Sequence, residues 1–247
     1  MRPEDARPRL AALGFRPEDV ETLAEHFLDA EQRGSVGHGL SRIEWLEGWE
    51  EIDTVSSPQR VASEPGYERW DGSGALGYLT LAAVVAAQIA EPPVHARVVV
   101  CSRTFPTGAL GYWVRQLADA GLVALLTATS PRRLPPPGGG EPLTGTNPLA
   151  IGIPSSDGAP VVADVSMGAV THGDVLAGRA RAEELVPFGE ALAHKAFALA
   201  VGLQLVVDAL TPEEAFGAVL VVARPEADPV PAFRELAAGI RLPGDRS

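Results

Sequence analysis

Apolar residues recur at helical spacing early in the chain. Val20, Leu23, Phe27 and Ala30 fall on one face of a helix. Pro17 stands where a first helical residue belongs, Glu18 and Asp19 suit the positive end of the dipole, and Gly34 follows as a stop. The pattern predicts a helix that delivers the chain into Gly37-His-Gly-Leu-Ser-Arg42. A second short helix is expected over 40–50. Residues 52–69 lack apolar runs and read as a linker or irregular arm.

From Gly74 the period changes. An Ala-rich helix is expected over 76–90, a strand over 97–101, a helix over 109–120 closed by Gly121, and a strand over 122–129. The proline- and glycine-rich stretch 130–140 excludes helix and central strand. Strands follow at 149–153 and 161–165, a long helix at 190–210, a strand at 218–223 and a helix at 231–239. This alternation argues for a layered α/β architecture. We divide the chain into an N-terminal helical segment with its arm (1–70), an α/β core (71–223), and a C-terminal helix and tail (224–247). No internal repeat is visible.

Composition refines this picture in three ways. The formal charge of −12 repels a phosphate backbone, so no nucleic-acid partner is expected. The single cysteine, Cys101, closes an apolar strand and is expected as a buried thiol. The N-terminus lacks a signal-peptide core, and the greasiest run, 196–207, is too short for a bilayer and carries Gly202 and Gln204; it reads as a buried helix. A cytoplasmic protein with no membrane partner is therefore expected. Among the basic residues the only lysine is Lys195, which suggests either a specific need for an ammonium or chance retention.

His38 is flanked by glycines that let a ligand approach its imidazole, and Arg42 lies one helical turn further on. One reading is an acid/base pair in which Arg42 fixes a carboxylate and His38 moves a proton on the adjoining group. The other is a turn-capping histidine beside a surface ion-pair arginine. His26 reads as a packed helix residue, His95 as solvent-facing and His172 as a loop residue bordering a cofactor. Tyr112 reads as packed in its helix, with a phenol that could reach a ligand. The five histidines show no ligand spacing, so no metal is expected.

The Gly37–Arg42 segment resembles the N-terminal signature of the type-2 malate/lactate dehydrogenases, the sulfolactate dehydrogenase-like family. The likeness continues in order through Asp71-Gly72 with Gly74-x-Leu-Gly77, Phe105 with Gly108-Ala-Leu-Gly-Tyr112, Pro136-Pro-Gly-Gly, Gly145-Thr-Asn-Pro-Leu149, Asp164, His194-Lys195 and Arg241-Leu-Pro-Gly-Asp-Arg246. It implies a mixed sheet with flanking helices rather than a Rossmann fold, and no Gly-x-Gly-x-x-Gly follows a strand here. It also implies a homodimer that binds NADPH or NADH and a small carboxylate. By the same resemblance His38 is the proton donor and Arg42 binds the substrate carboxylate, with Thr104 and Arg132 (or its neighbour Arg133) also toward substrate. Cofactor contacts map onto Gly108, Ala109, Leu110, Thr146, Asn147, Asp164, His194, Lys195, Gly244, Asp245 and Arg246.

The chain departs from the family pattern at several of these places. Gly37 stands where the family has serine, Thr104 replaces a second histidine, and Pro106-Thr107 are inserted before Gly108. Alanines 193 and 196 flank His194-Lys195 in place of glycines, and the segments after Asp164 and after Leu210 are shortened. Two functions fit. One is NAD(P)H-dependent reduction of a 2-oxo acid or cyclic imino acid. The other is a non-redox cyclisation, elimination or isomerisation in the same pocket, with no cofactor.

Overall fold

A computed structural model describes residues 1–211 and 216–245. Seven strands form one mixed sheet in the order β1-β2-β3-β7-β4-β5-β6. They are β1 Gln59–Glu64, β2 Tyr67–Asp71, β3 Ala96–Ser102, β4 Val123–Ala128, β5 Leu149–Ile153, β6 Val161–Val165 and β7 Ala218–Ala223. Only β2 and β3 run parallel; every other neighbouring pair is antiparallel. The sheet is therefore not of the Rossmann type, as expected. β7, late in the chain, fills the centre between β3 and β4 and is largely buried, consistent with its unbroken Ala-Val-Leu-Val-Val-Ala run.

The arm expected over 52–69 is irregular as far as residue 58 and then forms a β-hairpin, so the sheet begins before residue 71. Its pattern hid it for two reasons. β1 is an edge strand exposed almost throughout, so it carries no apolar alternation. β2 alternates, but its inward positions are Glu68 and Trp70. The Glu68 carboxylate is 1% exposed and accepts from Trp70 Nε1 (3.0 Å) and Gln88 Nε2 (2.8 Å), with the Arg97 guanidinium 3.2 Å away. A satisfied buried carboxylate reads as surface in a sequence.

The N-terminal helices α1 Ala6–Ala12, α2 Pro17–Gln32 and α3 Ser41–Glu47 bury Leu10, Leu23, Phe27, Ile43 and Leu46 in the same core as the sheet. α4 Gly77–Ala90 and α5 Leu110–Asp119 pack between them and the strands, with α5 lying across β4, β5 and β6. Cys101 is fully buried in β3, as its strand position implied.

Three short or long helices complete the chain: α6 His172–Leu176, α7 Ala193–Leu210 and α8 Val230–Leu236. α7 does not match the buried helix expected for its apolar run. It buries only Ala196, Ala200 and Val207, while Leu205 is 60% exposed and Leu199 51%. With its leading turn, Glu190–Leu210 is also long and apolar enough to cross a membrane by length and composition, longer than the run 196–207 suggested.

Candidate active site

The His38 segment is a single 3-10 turn, Val36–His38, between α2 and α3. It is pinned from both sides. The His38 N–H donates to Ser35 O (2.8 Å), Ser41 Oγ donates to Val36 O (3.1 Å), and Leu40 N–H donates to the Glu31 carboxylate (3.1 Å). The imidazole is half-buried and faces a cavity of about 240 Å³. Arg42, in the first turn of α3, faces the same cavity and is 7% exposed. Its guanidinium lies over the Trp45 ring, 4.2 Å from the centroid. So the stretch supplies the two groups together, as the first reading of His38 and Arg42 required.

The cavity holds two further groups that local spacing does not reveal. Arg133 reaches it from the loop after β4, and His172 from the first residue of α6. No carboxylate among the described residues pairs with Arg42 or Arg133. Burial and the neighbouring Arg42 lower the Arg133 pKa. Burial, then Arg42, holds His38 down at about 4, against a smaller upward pull from Asp174. Burial, then Arg133 and Arg42, holds His172 at about 4. Two unpaired cations beside two neutral imidazoles make a site suited to an anionic ligand.

A second cavity of about 530 Å³ adjoins the first and shares Ser35, Ala109 and Asp164 with it. Gly111 N–H donates to the Asp164 carboxylate at 2.7 Å, fixing the start of α5 against β6. Gly244 and Asp245 close the far side, where Val162 N–H donates to Pro243 O. Gly108 has φ +70, and a Cβ there would strike the buried His26 ring. His26 accepts from Ala109 N–H at 3.2 Å, so a buried imidazole sets the backbone between the two cavities. Its packing against Tyr78, Tyr112 and Trp113 agrees with the packed role expected of it.

The expected site residues therefore divide. The structure brings His38, Arg42, Gly108, Ala109, Leu110, Thr146 and Asp164 to the inner cavity, and Gly244 and Asp245 to the outer. Tyr112 lines the outer cavity. Thr104 lines neither: it is fully buried and its hydroxyl donates to Ser102 O. Arg132 is exposed, and its neighbour Arg133 takes the inward position. Asn147 is buried and donates to Ala200 O (2.9 Å) and Gln204 Oε1 (3.0 Å), so it anchors α7. His194 and Lys195 are exposed at the start of α7, away from both cavities. Arg246 lies outside the described residues. The inserted Pro106 and Thr107 line the inner cavity directly.

Arg33, Arg115 and Asp29 in the outer cavity were not singled out in the sequence. Asp29 accepts from Arg33 (2.9 Å) and Arg115 (3.0 Å). The i, i+4 spacing of Asp29 and Arg33 was the available signal. No group of three metal-ligating side chains occurs among the described residues.

Comparison with known proteins agrees with this architecture. The family model for malate/L-lactate dehydrogenase matches residues 6–198, and the chain belongs to that family. It is 32% identical over 182 residues to a Delta(1)-pyrroline-2-carboxylate/Delta(1)-piperideine-2-carboxylate reductase of Pseudomonas syringae pv. tomato, covering 71% of this chain and 52% of the relative. It is 34% identical over 188 residues to a (2R)-3-sulfolactate dehydrogenase (NADP(+)) of Chromohalobacter salexigens, covering 74% of this chain and 56% of the relative. The chain thus spans little more than half the length of these curated relatives. The solved structure of the piperideine-2-carboxylate reductase from P. syringae superimposes with a TM-score of 0.83 at 25% identity, covering 99% of this chain and 89% of that one. Sulfolactate dehydrogenase from Methanocaldococcus jannaschii shares the fold, with a TM-score of 0.78 at 19% identity over 100% of this chain and 86% of that one.

Proposed function

We propose that this chain reduces a small 2-oxo acid or cyclic imino acid with NADPH or NADH. The observation that carries the reading is the meeting of His38 with two unpaired guanidiniums, Arg42 and Arg133, in a cavity that opens onto a second, larger one. The larger cavity suits a dinucleotide. Its volume lies in the range of cofactor sites, and it mixes guanidiniums for phosphates (Arg33, Arg115, Arg241) with carboxylates for ribose hydroxyls (Asp164, Asp245). The backbone of Gly108–Leu110 and Asp164 would hold the nicotinamide end. Bound there, the nicotinamide supplies hydride to the substrate carbon.

The remaining work falls to the chain. Arg42, stacked on Trp45, fixes the substrate carboxylate and so orients the neighbouring carbon. Burial first, and the unpaired Arg42 second, keep His38 neutral at pH 7. A carboxylate on Arg42 cancels that field, so the imidazole gains proton affinity as substrate arrives. It takes a proton from solvent and then gives that proton to the oxygen or nitrogen that becomes hydroxyl or amine.

The chain is further proposed to act as a homodimer in the cytoplasm. The outward face of α7 is apolar through Leu199, Leu205 and Val206, and Leu125 on the adjacent β4 is 40% exposed. A second copy covers such a surface at less cost than lipid. Lys195 and Asp208 also stand exposed on α7, and a bilayer core penalises their charges.

Titration with NADH and NADPH, followed by nicotinamide fluorescence, tests the reading. Failure of both to bind at about millimolar concentration, well above usual Michaelis constants, would sink it. If either binds, His38→Ala should abolish turnover of piperideine-2-carboxylate or a 2-oxo acid while leaving that binding nearly intact. Unchanged turnover removes His38 from the mechanism.

A further inference from the structure

The proposed reduction uses His38 and Arg42 and leaves His172 without a role. His172 is nevertheless held in place more firmly than a loop histidine would be. Thr171 caps α6 in a reciprocal box: Asp174 N–H donates to Thr171 Oγ1 (3.1 Å), while Thr171 N–H (2.9 Å) and Oγ1 (2.6 Å) donate to the Asp174 carboxylate. The next residue, Gly173, crosses the backbone of Gly37 so closely that a Cβ on Gly173 would lie 2.0 Å from Gly37 O. A Cβ on Gly37 would lie 2.8 Å from Asp174 N and 2.9 Å from Gly173 C. Each glycine adjoins one of the cavity's histidines. The crossing therefore locks the turn that carries His38 to the helix that carries His172, and both imidazoles face one cavity.

The charges around the two rings differ. His38 has Arg42 on α3 on one side and the Asp174 carboxylate of α6 on the other. His172 faces Arg42 and, from the loop after β4, Arg133. His38 also stands on the facing turn, and Asp164 on β6 closes the cavity. Burial holds both rings down to about 4, and the nearby Asp174 carboxylate favours a proton on His38 over one on His172. No side chain or backbone group among the described residues hydrogen-bonds the His172 imidazole. Thr104, the other polar residue expected toward substrate, turns its hydroxyl to Ser102 O and brings nothing to the cavity.

We propose that His172 is a second catalytic residue, a neutral imidazole whose N–H donates a hydrogen bond to the substrate's reacting oxygen or nitrogen while His38 supplies the proton. The assignment rests on the reductase reading for its reaction, though not for its geometry. When hydride reaches the substrate carbon, the electron pair of the C=O or C=N bond moves onto the heteroatom. His172 stabilises that developing charge, and the proton from His38 neutralises it. His172 ends the step with the proton it began with. A fixed neutral donor of this kind contributes most to the charged transition state.

Two measurements test it. His172→Ala should lower kcat by about 100-fold, the usual loss for one such donor, with dinucleotide binding unchanged. His172→Gln, which still donates but cannot titrate, should stay within about 10-fold of the parent. Unchanged kcat in His172→Ala, or equal losses in both variants, would overturn the assignment. The second readout needs no turnover. Oxamate, an inert 2-oxo acid analogue, is titrated into the full chain, and the imidazole Cε1–H resonances are followed, with the His172 signal identified by its loss in His172→Gln. A shift of that signal alongside His38 is expected; a His172 signal that stays fixed while His38 moves would overturn the role. If the parent chain turns over no substrate, the reductase reading fails, and the oxamate titration still decides whether His172 contacts the ligand.

Discussion

Placing a methyl group at the Gly37–Gly173 crossing probes what holds the two histidines together. A Cβ at Gly37 would approach Asp174 Oδ1 to 2.7 Å and two backbone atoms of 173–174 to 2.8 and 2.9 Å. A Cβ at Gly173 would reach 2.0 Å from Gly37 O, a deeper overlap. The obstructing atoms are mostly backbone, so no rotamer change relieves the clash; α6 must move away from the turn. Overpacking of this kind costs about 1–3 kcal/mol. Neither glycine has positive φ, so alanine regains about 0.4–1 kcal/mol by restricting the unfolded chain. The net loss should be about 1 kcal/mol for Gly37→Ala and about 2 for Gly173→Ala, roughly 2–4 °C of Tm per kcal/mol in a chain this long. The double variant is the decisive case. Once α6 has moved for one methyl, the second meets little resistance, so the combined loss should fall short of the sum by about 0.5 kcal/mol or more. Thermal and urea unfolding of all four proteins measure this cycle. Full stability in either single variant, or strict additivity in the double, would refute the claim that this crossing clamps α6 to the His38 turn.

Acid should weaken the fold before its carboxylates titrate. His26, His38 and His172 sit at about 3, 4 and 4 when folded against 6.5 when free, so each binds protons more weakly in the native state. Their contribution is complete above about pH 6.5 and is lost as pH falls from there toward about 3; a urea midpoint that holds level or rises between about pH 7 and pH 5 contradicts this. Cys101 is buried and its thiol is pushed up to about 12, so a thiol reagent should leave it unmodified in the native protein and label it fully in denaturant; native labelling at the denatured rate would show that β3 is open. On α7, Leu205→Glu should shift the chain from dimer to monomer in analytical ultracentrifugation without disturbing the isolated fold, because Leu205 is 60% exposed. A parent that sediments as a monomer, or a dimer untouched by the change, would refute the proposed interface.

The elements legible in the sequence were those whose burial follows one simple period. β5, β6 and β7 fall where their apolar runs place them, because both faces or alternate residues meet the core. The β1–β2 hairpin was illegible because its inward residue Glu68 is a paired carboxylate and its outer strand is exposed almost throughout. α7 misled in the opposite sense. An apolar run does not by itself report how much of a helix the chain buries, so the exposure of α7 could not be read from the pattern.

The same distinction runs through the site. His38 and Arg42 were legible because a glycine-flanked turn and one helical turn are local properties. Arg133 was not separable from Arg132, since no period governs a proline-rich loop and only the fold decides which neighbour points inward. His172 is the most instructive case. Its partner in the cavity lies 134 residues earlier, and what joins them is a pair of missing side chains, at Gly37 and Gly173. Against the resembling family, Gly37 read as the loss of a serine. In the folded chain that loss makes room: a serine Cβ at 37 would occupy the space through which α6 passes, and α6 is the element that brings His172 to the inner cavity. If His172 acts as proposed, the departure at Gly37 is what admits a second imidazole to the site.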